Sequence, residues 1–369
     1  MRIGILGGGQ LGRMLALAGY PLGLRFRGLD PAADAPLGQV AELVVAPYDD
    51  RAALERFAEG LDLVTYEFEN VPSATAEFLA ACLPVWPPPE ALARSQDRLF
   101  EKELFVSCGI PVPPYAPVSG RDDFAVALEQ VSLPALLKTR RLGYDGRGQV
   151  RIQHADELPA AWEQLGGVPC ILERLVPFDY EVSLLAARSP SGRLAFYPLV
   201  ENRHTAGILA VSRAPAPRAT AELQERAEQY VRTLLERLSY VGILAVEFFV
   251  VGDQLLANEM APRVHNSGHW TIEGAETSQF EQHLRAVLDW PLGSTHPRGH
   301  AAMINLLGTI PPISELLAIP NAHVHLYGKL PRPRRKLGHV TVRADTPDQR
   351  DELVRRVLRI VSLPEPVLL

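Results

Sequence analysis

The sequence predicts an α/β protein in which a parallel, helix-flanked sheet at the N-terminus is followed by two mixed α+β units. Two observations carry this prediction. Up to about residue 96, short apolar segments alternate with helical patterns, which is typical of a parallel sheet covered by helices. A glycine-rich turn at residues 7–12 connects the first apolar segment with the first helix, as in doubly wound sheets. We expect units at residues 1–96, 97–176 and 177–369.

The first unit contains four predicted strands. They are expected at residues 3–6, 24–29, 43–45 and 63–65, the last two fully buried because they are continuous apolar or β-branched runs. Helices are expected from residue 10 to about 20, at 51–58 and at 73–82. The proline-rich residues 86–89 indicate a linker that ends the unit.

The second unit begins with an amphipathic helix predicted at residues 97–108. Its apolar side chains are expected on one face: Leu99, Phe100, Leu104, Phe105 and Val106. Strands at 135–138, 150–152 and 170–173, a glycine-rich loop at 143–148 and a helix at 155–165 follow.

In the third unit, one long helix is predicted among strands. The helix, at residues 219–238, has apolar residues at helical spacing, and a second helix starts near residue 347. The strands are expected at 181–187, 194–200, 241–250, 254–259, 301–307, 322–326 and 338–343.

The composition excludes several classes of protein. The chain has 369 residues, 47% apolar and 22% charged, which is ordinary for a globular protein. A net charge of −6 argues against a nucleic-acid-binding surface, and no apolar run reaches the length of a membrane span. Three well-separated cysteines indicate neither a disulfide framework nor a zinc site, and the N-terminus runs directly into a strand. We therefore expect a cytoplasmic protein.

Lysine is scarce in this sequence. Only four of the 37 basic residues are lysines, at positions 102, 138, 329 and 336. Arginine evidently serves wherever a positive charge alone is needed, so each lysine is a candidate functional residue.

Two glutamates on a predicted hairpin, Glu247 and Glu259, form the strongest candidate site. An acid inside a buried strand is unfavourable unless it is paired or binds a cation. Two carboxylates from adjacent strands, with Asn258 beside them, suit a hard cation such as Mg²⁺. The alternative is a pair of structural acids whose hydrogen bonds are satisfied within the hairpin.

The turn at residues 7–12 matches the dinucleotide fingerprint, with Asp30 eighteen residues after the last glycine. The match predicts an NAD-dependent enzyme, but any phosphorylated ligand would satisfy the same helix N-terminus. Glu67 follows a strand of the same sheet, where ligands bind. It is placed either to accept a hydrogen bond from a ligand amine or to cap the helix that begins near Ser73.

Lys138 ends a strand directly before the glycine-rich loop, whose backbone N–H groups can close over phosphates. Glu173 begins a segment between two units, where a nucleotide base can bind, and Glu181 can accept from ribose hydroxyls. Lys138 could instead be a snorkelling lysine in a hairpin, and Glu173 and Glu181 could be ordinary surface acids. The basic residues within 332–339 indicate a phosphate site or a solvated turn.

Taken together, five motifs resemble the ATP-grasp superfamily and, within it, the N5-carboxyaminoimidazole ribonucleotide synthetase family. The motifs are GGGQLGRM at residues 7–14, TYEFENV at 65–71, GYDGRGQ at 143–149, NEMAPRVHNSGHWT at 258–271 and RKLGH at 335–339. The resemblance covers nearly the whole chain. It implies an ATP-grasp fold: a Rossmann-like N-terminal domain, a small α+β lid domain, and a larger α+β domain with a C-terminal subdomain.

The resemblance also implies the site residues. It places ATP on Arg98, Lys138, Gly143, Tyr144, Asp145, Gly146, Arg147, Gly148, Gln149, Glu173, Arg174, Leu175, Val176, Glu181, His204, Asn258 and Glu259. It places the ribonucleotide on Gln10, Leu11, Glu67, Tyr144, Asp145, Arg263, His265 and Asn266, with Lys336 and Arg343 at its phosphate. Mg²⁺ would bridge Glu247 and Glu259, and the turn at residues 7–12 would cradle a substrate phosphate. Catalytic roles fall to Lys138, Arg263, His265 and Asp145.

The implied reaction is the ATP-dependent carboxylation of 5-aminoimidazole ribonucleotide by bicarbonate, through carboxyphosphate. The resemblance also implies a homodimer, with no nucleic-acid partner and no membrane association. A sister ligase, formate-dependent glycinamide ribonucleotide transformylase, is an alternative. An NAD-dependent oxidoreductase is another, although it leaves the two glutamates and the second glycine loop unexplained. A non-catalytic nucleotide-binding regulator would lack a metal carboxylate or the strand lysine, and both are present.

Overall fold

The computed structural model describes residues 1–143, 146 and 148–362. The strands are β1 Arg2–Leu6, β2 Arg25–Asp30, β3 Glu42–Val45, β4 Leu63–Tyr66, β5 Tyr115–Val118, β6 Ala135–Thr139, β7 Gln149–Ile152, β8 Cys170–Arg174, β9 Tyr180–Arg188, β10 Leu194–Phe196, β11 Val200–Thr205, β12 Ile208–Ala214, β13 Gly242–Val251, β14 Gln254–Ala261, β15 His300–Leu307, β16 Ala322–Leu326 and β17 Lys336–Ala344. The helices are α1 Gln10–Gly19, α2 Arg51–Ala58, α3 Ser73–Ala80, α4 Pro89–Ser95, α5 Arg98–Ser107, α6 Phe124–Gln130, α7 Leu158–Gln164, α8 Ala221–Arg237, α9 Thr271–Gly274, α10 Gln279–Val287, α11 Ile313–Leu317 and α12 Pro347–Val361.

The first unit is a parallel sheet with strand order β3-β2-β1-β4, as the alternating pattern predicts. The prediction that residues 43–45 form a buried strand is wrong in one respect. β3 lies at the edge of the sheet, and Val45 is 51% exposed, because an edge strand is covered from one side only. The predicted linker is short, since Pro89 already begins α4.

The small unit is an antiparallel sheet of order β5-β8-β6-β7 with its own apolar cluster, to which Val118, Leu137, Ile152 and Leu172 belong. Helix α5, which precedes it, does not bury the predicted face. Leu104 and Phe105 are buried against the large sheet, whereas Phe100 and Val106 are exposed. The buried face instead contains two charged residues, Glu101 and Lys102.

The large sheet is antiparallel, with order β14-β13-β9-β11-β12-β15-β17-β16 and β10 beside β9. Successive residues of β13 alternate between two apolar clusters, which explains why its sequence is apolar throughout. The predicted strand at 194–200 is two strands, β10 and the start of β11. Strand β11 was missed beyond residue 200 because its polar sequence, VENRHT, carries no apolar pattern.

Several other elements were not predicted: β5, β12, α4, α6, α9, α10 and α11. Most of these helices are short, so they span too few turns for a periodic pattern to stand out. Within the described part of the chain, no helix combines the length and the apolarity that crossing a membrane requires.

The N-terminal sheet and the large sheet share one apolar core. Ile3 and Leu15 from the first unit lie in the same cluster as Leu185, Ile243 and Leu284, and α10 packs against α1. A buried histidine, His283, connects the two sheets. Its Nδ1 accepts a hydrogen bond from the N–H of Ile243 (3.1 Å), so the ring proton is on Nε2. The Nε2–H group donates to Thr65 Oγ1 (2.8 Å).

The pH dependence of stability should report this histidine. Burial lowers the pKa of His283 to about 3. The unfolded chain therefore takes up a proton below about pH 6.5 that the native protein does not, and stability falls as the pH drops from that value toward 3. We expect a His283→Gln variant to lose less stability on acidification, by up to about 1.4 kcal/mol per pH unit.

Urea unfolding of wild type and variant between about pH 6.5 and 4 measures this difference. Comparing the two proteins isolates His283, because Glu101 and Glu247, whose buried carboxyls have raised pKa values, change stability in the opposite direction in both. Parallel curves would show that His283 is protonated in the native state.

Candidate active site

A cavity of about 1090 Å³ lies where the three units meet. Nearly all described residues predicted for the site line it: Gln10, Leu11, Glu67, Arg98, Lys138, Gly143, Gly146, Gln149, Glu173, Arg174, Leu175, Val176, Glu181, His204, Glu247, Asn258, Glu259, Arg263, His265, Asn266 and Lys336. Segments separated by more than 300 residues in the sequence therefore contribute to one site.

Two predicted residues of the described chain do not line this cavity. Arg343 lies at the other end of β17 from Lys336 and lines a separate pocket with Asn321 and Glu352. Seven strand residues span roughly 23 Å, so one phosphate cannot contact both basic side chains. Gly148 is needed for the backbone: its φ is +69°, and a Cβ atom there would lie 2.6 Å from Thr139 Oγ1. Tyr144, Asp145 and Arg147 lie outside the described residues.

The two candidate metal ligands are direct neighbours across the β13–β14 hairpin. Glu247 and Glu259 are register partners, so their side chains emerge on the same face. Burial, and next the charge of Glu259, raises the pKa of Glu247 to about 7. Two carboxylates forced together in this way are suited to a divalent cation, which would remove their repulsion.

Cationic and neutral groups surround this acidic pair. Arg98 Nη1 lies 3.2 Å from Glu259 Oε2, and His265 Nε2 lies 3.7 Å from Glu247 Oε1. His204 Nδ1 is 2.5 Å from Glu181 Oε2. Burial alone would lower the pKa of His204, but the hydrogen bond and charge of Glu181 raise it to about 9, so the imidazole is positively charged at neutral pH.

His265 is the opposite case. Burial, followed by the charges of Arg263 and Lys336, lowers its pKa to about 3, so the ring is neutral. Its Nδ1 accepts from the backbone N–H of Ser267 (3.3 Å), which leaves the proton on Nε2, facing Glu247.

The neighbours of His265 are held in place by polar pairs. Arg263 Nε donates to the Glu69 carboxylate. Burial alone would raise the pKa of Glu69, but the positive charge of Arg263 and this hydrogen bond outweigh burial and lower it to about 2. The side-chain amides of Asn266 and Asn305 bond each other reciprocally, at 3.1 and 2.7 Å. Glu69 is therefore an ionised partner of Arg263 at the cavity wall.

Lys138 faces a buried carboxylate. Its Nζ donates to Glu173 Oε2 at 3.1 Å, and Lys102 Nζ lies 3.5 Å from the same oxygen. Burial would raise the pKa of Glu173, but Lys102, and after it Lys138, lower it to about 2. The alternative that Glu173 is a surface acid is wrong. Its Oε1 atom has no hydrogen-bond partner among the described residues and is the atom that can accept from a nucleotide base.

The glycine turn before α1 is already occupied by a carboxylate. Glu67 accepts from the N–H groups of Gly9 (3.0 Å), Leu11 (3.2 Å) and Gly12 (3.3 Å). Asp30 accepts from Gly8 N at 2.7 Å. The protein's own acids thus use the donors that a phosphate would need, which corrects the expectation that this turn cradles one. Glu67 does cap a helix, but that helix is α1 and not the one near Ser73.

Removing this cap should expose the latent anion site. We expect a Glu67→Ala variant to lose about 1–2 kcal/mol of stability, because several N–H groups lose their acceptor. Sulfate should then raise the unfolding temperature of the variant more than that of wild type, since the helix N-terminus can bind the anion. Thermal unfolding at constant ionic strength measures both effects.

Asp34→Ala removes an exposed acid from the same unit and is the control. An equal sulfate response in all three proteins would show that the turn does not accept an anion even when it is vacated.

Sequence reasoning assigned no role to Lys329 and did not identify the pair Glu101 and Lys102. Lys329 Nζ donates to the Gln10 side chain at the cavity wall, and burial lowers its pKa to about 8. With Arg332, Arg335 and Lys336 it makes one side of the cavity basic, as the charge pattern predicts. The scarcity of lysine made both lysines candidate functional residues, but it did not indicate what they contact.

Comparisons with known proteins agree with this architecture. The ribonucleotide synthetase preATP-grasp domain family matches residues 1–96, the ATP-grasp domain family residues 103–280, and the phosphoribosylaminoimidazole carboxylase C-terminal domain family residues 301–353. The N5-carboxyaminoimidazole ribonucleotide synthase of Pseudomonas aeruginosa is 50% identical over 365 residues, which are 99% of this chain and 100% of that protein.

Solved structures agree as well. The crystal structure of N5-carboxyaminoimidazole ribonucleotide synthetase from Thermus thermophilus is similar with a TM-score of 0.95 and 59% identity, covering 98% of this chain and 99% of that one. The Aspergillus clavatus N5-carboxyaminoimidazole synthase in complex with ADP and 5-aminoimidazole ribonucleotide has a TM-score of 0.91 and 31% identity, and 98% of each chain is covered. The predicted ATP-grasp fold is confirmed, and the chain belongs to the N5-carboxyaminoimidazole ribonucleotide synthase family of the ATP-grasp superfamily.

Proposed function

We propose that this protein is an ATP-dependent carbon–nitrogen ligase of purine biosynthesis, which carboxylates 5-aminoimidazole ribonucleotide with bicarbonate and releases ADP and phosphate. The observation that carries the proposal is that a partly exposed acidic pair suited to a divalent cation and a basic wall suited to a phosphate ester line one cavity. A ligase that couples a nucleoside triphosphate to a ribonucleotide needs both features side by side.

The nucleotide occupies the side of the cavity between the small unit and the large sheet. Glu173 Oε1 and the backbone of Arg174, Leu175 and Val176 bind the base, as interdomain segments often do. Lys138 and Arg98 contact the phosphates as cations. Glu181, which is held by His204, accepts from ribose hydroxyls.

Glu247 and Glu259 are the residues that would hold Mg²⁺, whose chemistry is to neutralise charge on the transferring phosphoryl group. Asn258 adds an amide oxygen of the type that such cations prefer. The two carboxylates repel each other, as the raised pKa of Glu247 shows, and a divalent cation between them would remove that repulsion. This supports the assignment.

The first chemical step joins bicarbonate to the γ-phosphoryl group. A bicarbonate oxygen attacks the γ-phosphorus, the bond to the β–γ bridging oxygen breaks, and the electron pair leaves with ADP. Arg263 orients the bicarbonate anion by its charge, while the neutral His265 donates a hydrogen bond from Nε2. Lys138 and the positively charged His204 stabilise negative charge near the phosphoryl group.

In the second step, the carboxyphosphate so formed releases CO₂ and phosphate, and the exocyclic amine of the ribonucleotide attacks the CO₂ carbon. The amine loses one proton, and Asp145 of the glycine-rich loop is our candidate acceptor. Closure of this loop over the cavity would exclude water, which would otherwise hydrolyse the intermediate.

The ribonucleotide lies on the opposite side of the cavity. Gln10, Leu11, Glu67 and Asn266 surround the sugar and the imidazole, and Lys329 and Lys336 receive the phosphate. This assignment replaces Arg343, which lies too far from Lys336 to contact the same phosphate.

Family membership is the basis on which we expect a cytoplasmic homodimer. Light scattering of the purified protein checks its mass in solution.

The test is ADP release from Mg·ATP and bicarbonate, with and without 5-aminoimidazole ribonucleotide, and with glycinamide ribonucleotide plus formate in parallel. ADP release that depends on the aminoimidazole substrate, with labelled bicarbonate entering an acid-labile product, is the expected result. Activity in the formate arm alone would transfer the protein to the sister ligase. No activity in either arm, together with binding in a nicotinamide fluorescence titration, would favour the oxidoreductase.

A further inference from the structure

The charges behind the nucleotide side of the cavity include a lysine that the proposed mechanism does not use. Lys102, on α5, is 1% exposed. Its Nζ donates to the carbonyl oxygens of Asn258 (2.7 Å) and Ala257 (3.2 Å) on β14. It also lies 3.5 Å from Glu173 Oε2, the same oxygen that accepts from Lys138 at 3.1 Å.

The two lysines belong to different parts of the molecule. Lys138 and Glu173 lie on β6 and β8 of the small sheet, which has its own apolar cluster. Lys102 lies on α5, whose Leu104 packs into the cluster of the large sheet. Lys102 therefore reaches from the large sheet to a carboxylate of the small unit.

Helix α5 is bonded to β14 at a second point, because Glu101 Oε1 accepts from Met260 N at 2.7 Å. With its own two bonds to β14 carbonyls, Lys102 is held in place. Lys138 has no such backbone tether among its described hydrogen bonds, so it is the lysine that can turn toward a bound nucleotide.

Phosphates entering the cavity must compete with Glu173 for Lys138. If Lys138 left, a carboxylate only 2% exposed would lose a counter-charge, and an unpaired buried charge is strongly unfavourable. A second lysine beside the same oxygen removes this obstacle. Sharing one glutamate between two lysines is useful if one of them moves to the nucleotide during the reaction cycle.

We propose that Lys102 is a positioning residue that keeps Glu173 paired when Lys138 turns to the phosphates of the nucleotide. The proposal rests on the proposed use of ATP, since it concerns the same site. It assigns to Lys102 an electrostatic role in nucleotide binding, beyond its hydrogen bonds to β14.

The test is calorimetric titration of full-length protein with Mg·ADP. In Lys102→Met, Lys138 is the remaining cation within 4 Å of Glu173 among the described residues, and Arg98 acts on it only from farther away. ADP affinity should therefore fall roughly 10-fold to 100-fold. Adding Glu173→Gln to this variant should restore at least about tenfold of the loss, because a neutral amide no longer retains Lys138. If Lys102 merely supported β14 through the carbonyl oxygens, the second change would restore nothing.

Glu103→Gln, an exposed charge removal on the same helix, is the control and should bind ADP as wild type does. If Lys102→Met fails to fold, Lys102→Gln removes the charge while keeping a donor for the carbonyls, and the same restoration applies. ADP affinity of the single variant within about twofold of wild type, or a double variant no tighter than the single, overturns the proposal. Because ADP binding needs no ribonucleotide, a wild type that binds ADP without aminoimidazole-dependent turnover would refute only the proposed function.

Discussion

Replacing Glu259 by glutamine is expected to lower turnover by about a thousandfold or more while leaving the fold intact. The amide keeps the shape of the side chain but removes one of the two negative charges that the divalent cation requires. Glu259 faces Glu247 across the hairpin, and each carboxylate alone is a weak site for such a cation.

The stability of the Glu259→Gln variant should not fall together with its turnover. The charge of Glu259 contributes to raising the pKa of both Glu247 and Glu101, which means that it repels two buried carboxyl groups. Replacing the Glu259 carboxylate by an amide removes that repulsion. The ion pair between Glu259 and Arg98, which is lost as well, is partly exposed and contributes little to the free energy of unfolding. We therefore expect urea unfolding at neutral pH to show unchanged or slightly higher stability.

Steady-state ADP release at saturating substrates, with Mg²⁺ varied, measures the effect. Glu225→Gln, which removes an exposed charge on α8, is the control and should retain wild-type rates. A Glu259→Gln variant with near-normal turnover in Mg²⁺ would show that the metal assignment is wrong. A variant that is inactive and unfolded would instead assign Glu259 a structural role.

Replacing Lys329 by methionine is expected to raise the KM for the ribonucleotide by roughly a hundredfold, with a much smaller change in kcat. Lys329 lies at the cavity wall and is hydrogen-bonded to Gln10. The basic residues on the same side of the cavity are Arg332, Arg334, Arg335 and Lys336. The charge of Lys329 binds the substrate phosphate equally in the ground state and the transition state, because the phosphate is remote from the reacting atoms. The affinity for ADP should stay as in wild type.

The pH dependence provides a second test of Lys329. Burial lowers its pKa to about 8, against the opposing charge of Glu67. Below that pH the lysine is charged and binds a phosphate. Above it the charge is lost, so ribonucleotide affinity of the wild type should fall as the pH rises through about 8.

In Lys329→Met this pH-dependent loss should disappear, since the titrating group is gone. Arg25→Met, at an exposed position of β2, is the control for the loss of a positive charge. An unchanged KM in Lys329→Met would place the phosphate elsewhere. A KM increase that is equal for ATP and the ribonucleotide would indicate a general distortion of the cavity.

Much of the fold could be predicted because its signals are local. Apolar patterns located strands such as β13 and β14, and the short turn between them accounts for the register from Val251 and Gln254 to Phe248 and Ala257. That register alone would pair Glu247 with Asn258. A β-bulge between Glu247 and Phe248, which the sequence does not reveal, brings Glu259 opposite Glu247. The family could be identified because five motifs occur together in one order, and each consists of consecutive residues.

Other predictions failed because the deciding interaction lies far away in the sequence. The buried face of α5 contains Glu101 and Lys102, which amphipathicity assigns to solvent, because their partners Met260 and Asn258 are on β14. The exposure of Val45 follows from the position of β3 at the edge of its sheet.

The sequence by itself determined which side chains are available: the acidic pair, the four lysines and the glycine turns. Only the tertiary structure decided what each of them faces. Glu67 fills the turn that resembles a dinucleotide site from 55 or more positions away, and Gln10 meets Lys329 across 319 positions. The physical reason is that hydrogen bonds and ion pairs depend on distances of a few ångströms in space, and those distances are set by the packing of whole units and not by local sequence patterns.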